Sequence, residues 1–125
     1  MTGIASRFFV TAIIYAILGM TLGLVMGMTQ DHSQMPTHAH FLVIGWVTFA
    51  IYGLFYHAFP SAAANRLGPV HFWLAEISLA VLLIGLFMIF GGRPEAGEPF
   101  AALGSVGVLA SVILFAVIAW PIVRS

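Results

Sequence analysis

The chain is 125 residues long, 62% apolar and 6% charged, and its Lys/Arg and Asp/Glu counts cancel at four each. Soluble domains carry about 25% charged residues, so this composition excludes a water-soluble fold, and the absence of net positive charge argues against nucleic acid as a partner. No cysteine is present, which excludes covalently attached c-type haem, iron–sulfur clusters and thiol chemistry.

A bilayer core about 30 Å thick is crossed by about 20 apolar residues in helix. Four segments meet that length: 8–28, 41–60, 70–90 and 100–120. The stretches between them, TQDHSQMPT, SAAANRLGP and GGRPEAGEP, are rich in turn residues. The chain is therefore predicted to be an all-α integral membrane four-helix bundle forming a single domain over 1–125. The first segment is longer than the apolar core of a signal peptide and lacks a small-x-small pattern before the next polar stretch, so it is expected to be a retained span.

The first polar stretch holds His32 beside Asp31, which reads as a loop histidine or an additional ligand. His38 and His40 follow, two residues apart, at the entrance to the second span. Histidine is costly inside a bilayer unless it has a partner or a role. On a helix these two point about 200° apart, so they serve two sites, one on each flank, rather than grip one metal together. That geometry suits axial haem ligation by neutral imidazole between neighbouring helices; the alternative is a pair of interfacial histidines bonded to water and headgroups. Pro36 precedes the pair, and Gly45-Trp46 follows. Gly45 lets either a flat macrocycle or another helix approach closely.

His57 lies about 25 Å beyond His40 along the helix, at the opposite membrane face, and is expected in an aromatic belt with Tyr56 and Phe59. His71 opens the third span on that same side beside Trp73, and a second site built from His57 and His71 is an open alternative. Glu76 is the one carboxylate inside a span. It can snorkel, handle protons or partner a histidine. Arg93 is the basic residue on the side of the His38/His40 pair; it suits haem propionates, or else pairs with Glu95 or Glu98 as a solvated loop arginine. The methionines and phenylalanines fall within apolar spans and read as packing rather than as a copper site.

With four spans, the N-terminus, the second polar stretch and the C-terminus share one side and carry Arg7, Arg66 and Arg124, whereas Arg93 shares the other with Asp31, Glu95 and Glu98. The positive-inside rule puts both termini in the cytoplasm and the His38/His40 pair near the outer face.

The stretch from His38 to Pro60, HAHFLVIGWVTFAIYGLFYHAFP, resembles the tenth helix of subunit I, the catalytic subunit, of the haem–copper oxidases. That helix also opens with His-x-His and closes with a histidine before an aromatic-Pro pair, and His38, His40, His57 and Pro60 fall on this pattern. His71-Phe72-Trp73 is similar to the start of the family's eleventh helix. GGRP, with Arg93, falls where the family has an arginine-bearing loop near the propionates. The resemblance implies that the first and last spans correspond to the ninth and twelfth helices, so that the chain looks like one four-helix arc of a subunit I-like fold. It also implies that His38 ligates a high-spin haem and His40 a low-spin haem. The family's copper histidines, copper-linked tyrosine and proton channels lie in earlier helices without counterparts here, so copper is not expected. Three arcs make up the family's twelve-helix ring, which implies that copies of this chain associate, with a homotrimer favoured.

Three functions follow as expectations. The leading one is a b-type haem protein of a bacterial-type inner (plasma) membrane, acting in electron transfer or haem-linked sensing. The second is a minimal oxidase-like or nitric-oxide-handling enzyme with an open haem position. The third is a cofactor-free accessory or assembly subunit of a respiratory oxidase. Partners implied are the lipid bilayer, further copies of the chain and a respiratory-chain protein.

Overall fold

The computed structural model describes residues 1–125 and is helical from end to end. Helix α1 is Gly3–Thr29, α2 Met35–His40, α3 Phe49–Ala58, α4 Pro60–Ala63, α5 Gly68–Phe90 and α6 Pro94–Arg124, with a π-helical segment, Phe41–Thr48, joining α2 to α3. The α2, π and α3 segments form one continuous rod, Met35–Ala58, and with α1, α5 and α6 they give four helices long and apolar enough to cross a membrane.

The helices reach beyond the apolar segments that predict them. The second rod starts at Met35, which places His38 and His40 inside helix rather than at its entrance. Pro36 falls in its first turn, where a missing N–H costs nothing. Helix α6 starts at Pro94, so Gly97, Glu98 and Pro99 are helical and not loop; Glu95 in the first turn complements the positive helix end, and Gly97 is buried against α5. Breaks occur where the backbone needs them. Gln30 caps α1 at φ 57° with its Nε2 donating to Gly27 O at 2.6 Å. Gly92, at φ 93°, turns the chain from α5 into α6 through a region that glycine adopts freely. In the first loop the Ser33 hydroxyl, together with the Ser33 N–H that donates to Asp31 Oδ1 at 3.1 Å, holds the exposed Asp31 carboxyl below its ordinary value.

The π-helical segment has a readable cause. Thr37, Phe41, Gly45 and Phe49 are all buried, and they stand four residues apart. On an α-helix each four-residue step overshoots a turn by about 40°, so three steps would swing Phe49 about 120° from Thr37. The wider π turn removes that drift and keeps all four facing α1 and the core. Thr48 Oγ1 donates to Val43 O, five residues back, at 2.8 Å.

Two antiparallel hairpins make up the bundle, each closed through glycines. Helix α1 lies along the second rod: a side chain at Gly53 would meet Ala5 O at 3.0 Å, one at Gly45 the Tyr15 ring at 2.6 Å, and one at Gly19 Phe41 Cβ at 2.8 Å. Helices α5 and α6 approach closely at Gly85, Gly97, Gly104 and Gly107, where added side chains would strike the facing backbone or Ser78. Lipid tails are as apolar as the helix faces, so such close approach is what holds membrane helices together.

The hairpins meet around Phe8 and His71, both fully buried. Phe8 and Phe115 pack on His71 at ring separations of 5.0 and 5.5 Å, and Tyr52 meets it edge-on at 4.5 Å. Both termini, α4 and the start of α5 lie at this end, with Gly68 beside Ile4. At the other end Gln34 Nε2 donates to Phe87 O at 3.2 Å, which brings the first loop and the Arg93 turn together.

Candidate functional site

The helix α2 sends His38 and His40 to opposite flanks of the second rod. His38 turns toward α1, where its Nδ1 lies 2.7 Å from Gly19 O. Its ring rests on Gly23, whose absent Cβ would come within 2.6 Å of Cε1. His40 turns the other way and folds back along its own helix, with Nδ1 2.7 Å from Pro36 O. It lines an open groove of about 180 Å³ with Ala39, Val43 and Ile44.

The two carbonyl contacts fix the imidazole chemistry. A carbonyl oxygen only accepts, so Nδ1 carries the hydrogen in each ring, and the neutral ring presents its lone pair at Nε2. An imidazole that ligates a metal through one nitrogen and donates from the other to a carbonyl has the same arrangement. The donor set thus fits axial haem ligation on each flank. No three His, Asp or Glu side chains converge on a common point.

The other predicted site residues take varied places. Arg93 is exposed in the turn beside Gln34, at the end of the bundle that holds the His38/His40 pair, and lines a surface hollow with Gly92, Pro94, Glu95 and Ala96. Trp46 is half-buried and meets Phe9 at 6.3 Å. Gly45 is covered by Tyr15, so of its two readings the close approach is made by a helix of the same chain. His32 is exposed in the first loop.

At the opposite end His57 and His71 lie in different surroundings. His57 is exposed in a groove with Thr2, Tyr56 and Pro60, whereas His71 is fully buried with Nδ1 2.9 Å from the Tyr56 hydroxyl. Tyr56 therefore belongs to the core and not to an interfacial aromatic belt, because its hydroxyl finds a buried partner there. Glu76 does not snorkel: its carboxylate oxygen lies against Thr11 Oγ1 on α1.

Three features of the site were not anticipated from the residues. Gly19 supplies the carbonyl for His38, and Gly23 makes room for its ring; the signal was the Gly-x-x-x-Gly spacing within the first span. The third is the π-helical segment immediately after His40, a distortion that recurs at functional sites; its signal was the four-residue spacing of the inward positions.

Comparison with known proteins gives one informative similarity. The chain is 34% identical over 71 residues, 53% of its length, to "Cytochrome c oxidase polypeptide 1" of Halobacterium salinarum. The chain spans about 12% of the length of that relative. No protein-family model matches the chain, and no solved structure gives a significant match. The protein is an all-helical membrane protein with four apolar spans and a distant, partial similarity to subunit 1 of cytochrome c oxidase.

Proposed function

We propose that the chain binds haem b in a bacterial-type inner membrane, with His40 as the principal iron ligand and His38 as a second, and serves electron transfer or haem-linked sensing. One observation carries this reading: both imidazoles commit Nδ1–H to a backbone carbonyl and leave Nε2 free, on opposite flanks of one helix. The partial similarity to an oxidase subunit supports it. Bound haem supplies reversible one-electron exchange. The residues of this chain fix the tautomer and direction of each ligand ring, and Arg93 offers a cation to a propionate.

The groove at His40, about 180 Å³ and walled by a single helix, falls below the ~300–1,000 Å³ of pockets that enclose a small ligand. The remaining walls then come from another copy. In a closed ring, His40 of one subunit faces His38 of the next, and cyclic symmetry is the common solution for identical chains. A homotrimer carrying three haems is the assembly proposed.

The test is a visible spectrum of the purified protein together with native mass spectrometry from detergent. Sharp reduced bands of six-coordinate b-type haem in a trimer are expected. A shift on adding carbon monoxide would point instead to an oxidase-like or nitric-oxide-handling enzyme with an open position. A protein without visible absorbance would be a cofactor-free accessory subunit of a respiratory oxidase, and a haem-loaded monomer would remove the ring.

A further inference from the structure

Glu76 lies on α5, about 12 Å along the axis from Gly68 at 1.5 Å per residue, and is half-buried where α5 faces α1. Its carboxyl oxygen meets Thr11 Oγ1. The Thr11 hydroxyl also lies 3.1 Å from Arg7 O and 3.0 Å from Phe8 O. These three contacts compete for one hydrogen. A hydroxyl has a single proton to give but two lone pairs with which to accept, and the carbonyls of Arg7 and Phe8 can only accept. When Thr11 donates back to its own helix, as hydroxyls on membrane helices do, the remaining contact is satisfied only if the carboxyl is the donor.

The surroundings agree. Titratable groups on the packed elements are Tyr15 and Arg7 on α1, His71 on α5 itself and Tyr52 on the second rod. The Tyr15 hydroxyl also hydrogen-bonds the Glu76 carboxyl, and a carboxyl that gives its own proton to Thr11 still has an oxygen to accept from it. Arg7 is exposed, and His71 is turned into the aromatic cluster. No basic side chain is placed to neutralise an anion here. An uncompensated acidic side chain at the centre of a membrane helix costs about 2.5–3.5 kcal/mol on the insertion scale.

We propose that Glu76 and Thr11 form a proton-binding site inside the membrane. The carboxyl carries its proton and donates it to Thr11, joining the two hairpins by a neutral hydrogen bond. This site lies at a different seam from the histidine pair and stands whether or not haem binds. A lipid-soluble carbodiimide reaches it from the bilayer and adds without a leaving group: the acid proton passes to one nitrogen, and the carboxyl oxygen bonds the central carbon as its C=N double bond becomes single.

The test is infrared spectroscopy of the full chain in lipid vesicles at pH 7, with dicyclohexylcarbodiimide labelling read by mass spectrometry. Asp31, Glu95 and Glu98 are exposed, so a protonated-carboxyl stretch reports Glu76. The band should shift in D2O and vanish in Glu76→Gln. In Thr11→Val it should move to higher frequency as its acceptor is lost, a readout that stands if Glu76→Gln does not fold. The carbodiimide adduct should fall on Glu76. Absence of the band in the wild-type protein, an unmoved band in Thr11→Val, or labelling of the exposed carboxyls in place of Glu76 would overturn the proposal.

Discussion

His40 faces outward on the second rod with Nε2 free, whereas His57, on the same rod, is exposed at the far end of the bundle. If haem binds as proposed, the His40→Ala variant should lose most of it and His57→Ala should keep it, as read from the ratio of haem absorbance to protein. Retention by His40→Ala with loss in His57→Ala would reverse the site assignment. In the proposed haem site Arg93 would act through charge. A cation beside a propionate favours the ferrous state, so Arg93→Ala should lower the midpoint potential. Each tenfold loss of that preference corresponds to about 59 mV for one electron. An unchanged potential at full occupancy would leave Arg93 as a surface residue.

Among the elements, the α5–α6 seam is the most sensitive to added volume. A side chain at Gly104 would lie 2.6 Å from Leu82 Cα on the facing helix, against backbone with no flexible chain end to move. Gly104→Val should cost about 1–3 kcal/mol or more through overpacking, seen as lower resistance to unfolding in detergent. Gly27 meets nothing within 4 Å. There Gly27→Ala should be neutral or gain about 0.5–1 kcal/mol, because glycine is the costlier residue in a helix interior. The contrast separates glycines that admit a neighbouring helix from those that merely tolerate exposure. The π-helical segment belongs to the same scale: it lets one rod carry His38 toward α1 and still deliver Tyr52 and Tyr56 to the core.

For the whole molecule, the antiparallel hairpins put both termini and the Arg66 loop at one end and the His38/His40 pair with Arg93 at the other. Arg7, Arg66 and Arg124 then favour a cytoplasmic location for the first of these ends. Reporter fusions at Ser125 and near Glu95 should read cytoplasmic and periplasmic respectively; a periplasmic signal from Ser125 would invert the topology. Many large apolar side chains stay exposed along the lipid-facing sides, among them Leu24, Leu103, Val106 and Trp120, as a bilayer requires.

Local composition and spacing decide the number of crossings, the all-helical class and the separation of His38 from His40, because span length and helical angle depend on nothing else. The resemblance carried by HAHFLVIGWVTFAIYGLFYHAFP was legible in the same way, and the partial similarity to an oxidase subunit agrees with it. What the neighbours of a residue decide was not legible. Tyr56 reads as an interfacial aromatic until His71, fifteen positions on, is folded against it. Glu76 reads about equally as a snorkelling carboxylate, a proton-handling group or a histidine partner until α1 brings Thr11 to it. The imidazole tautomers depend on Gly19 and Pro36 carbonyls, one of them on another helix. Hydrogen-bond partners and close approaches are properties of pairs of elements, and folding is what brings those pairs together.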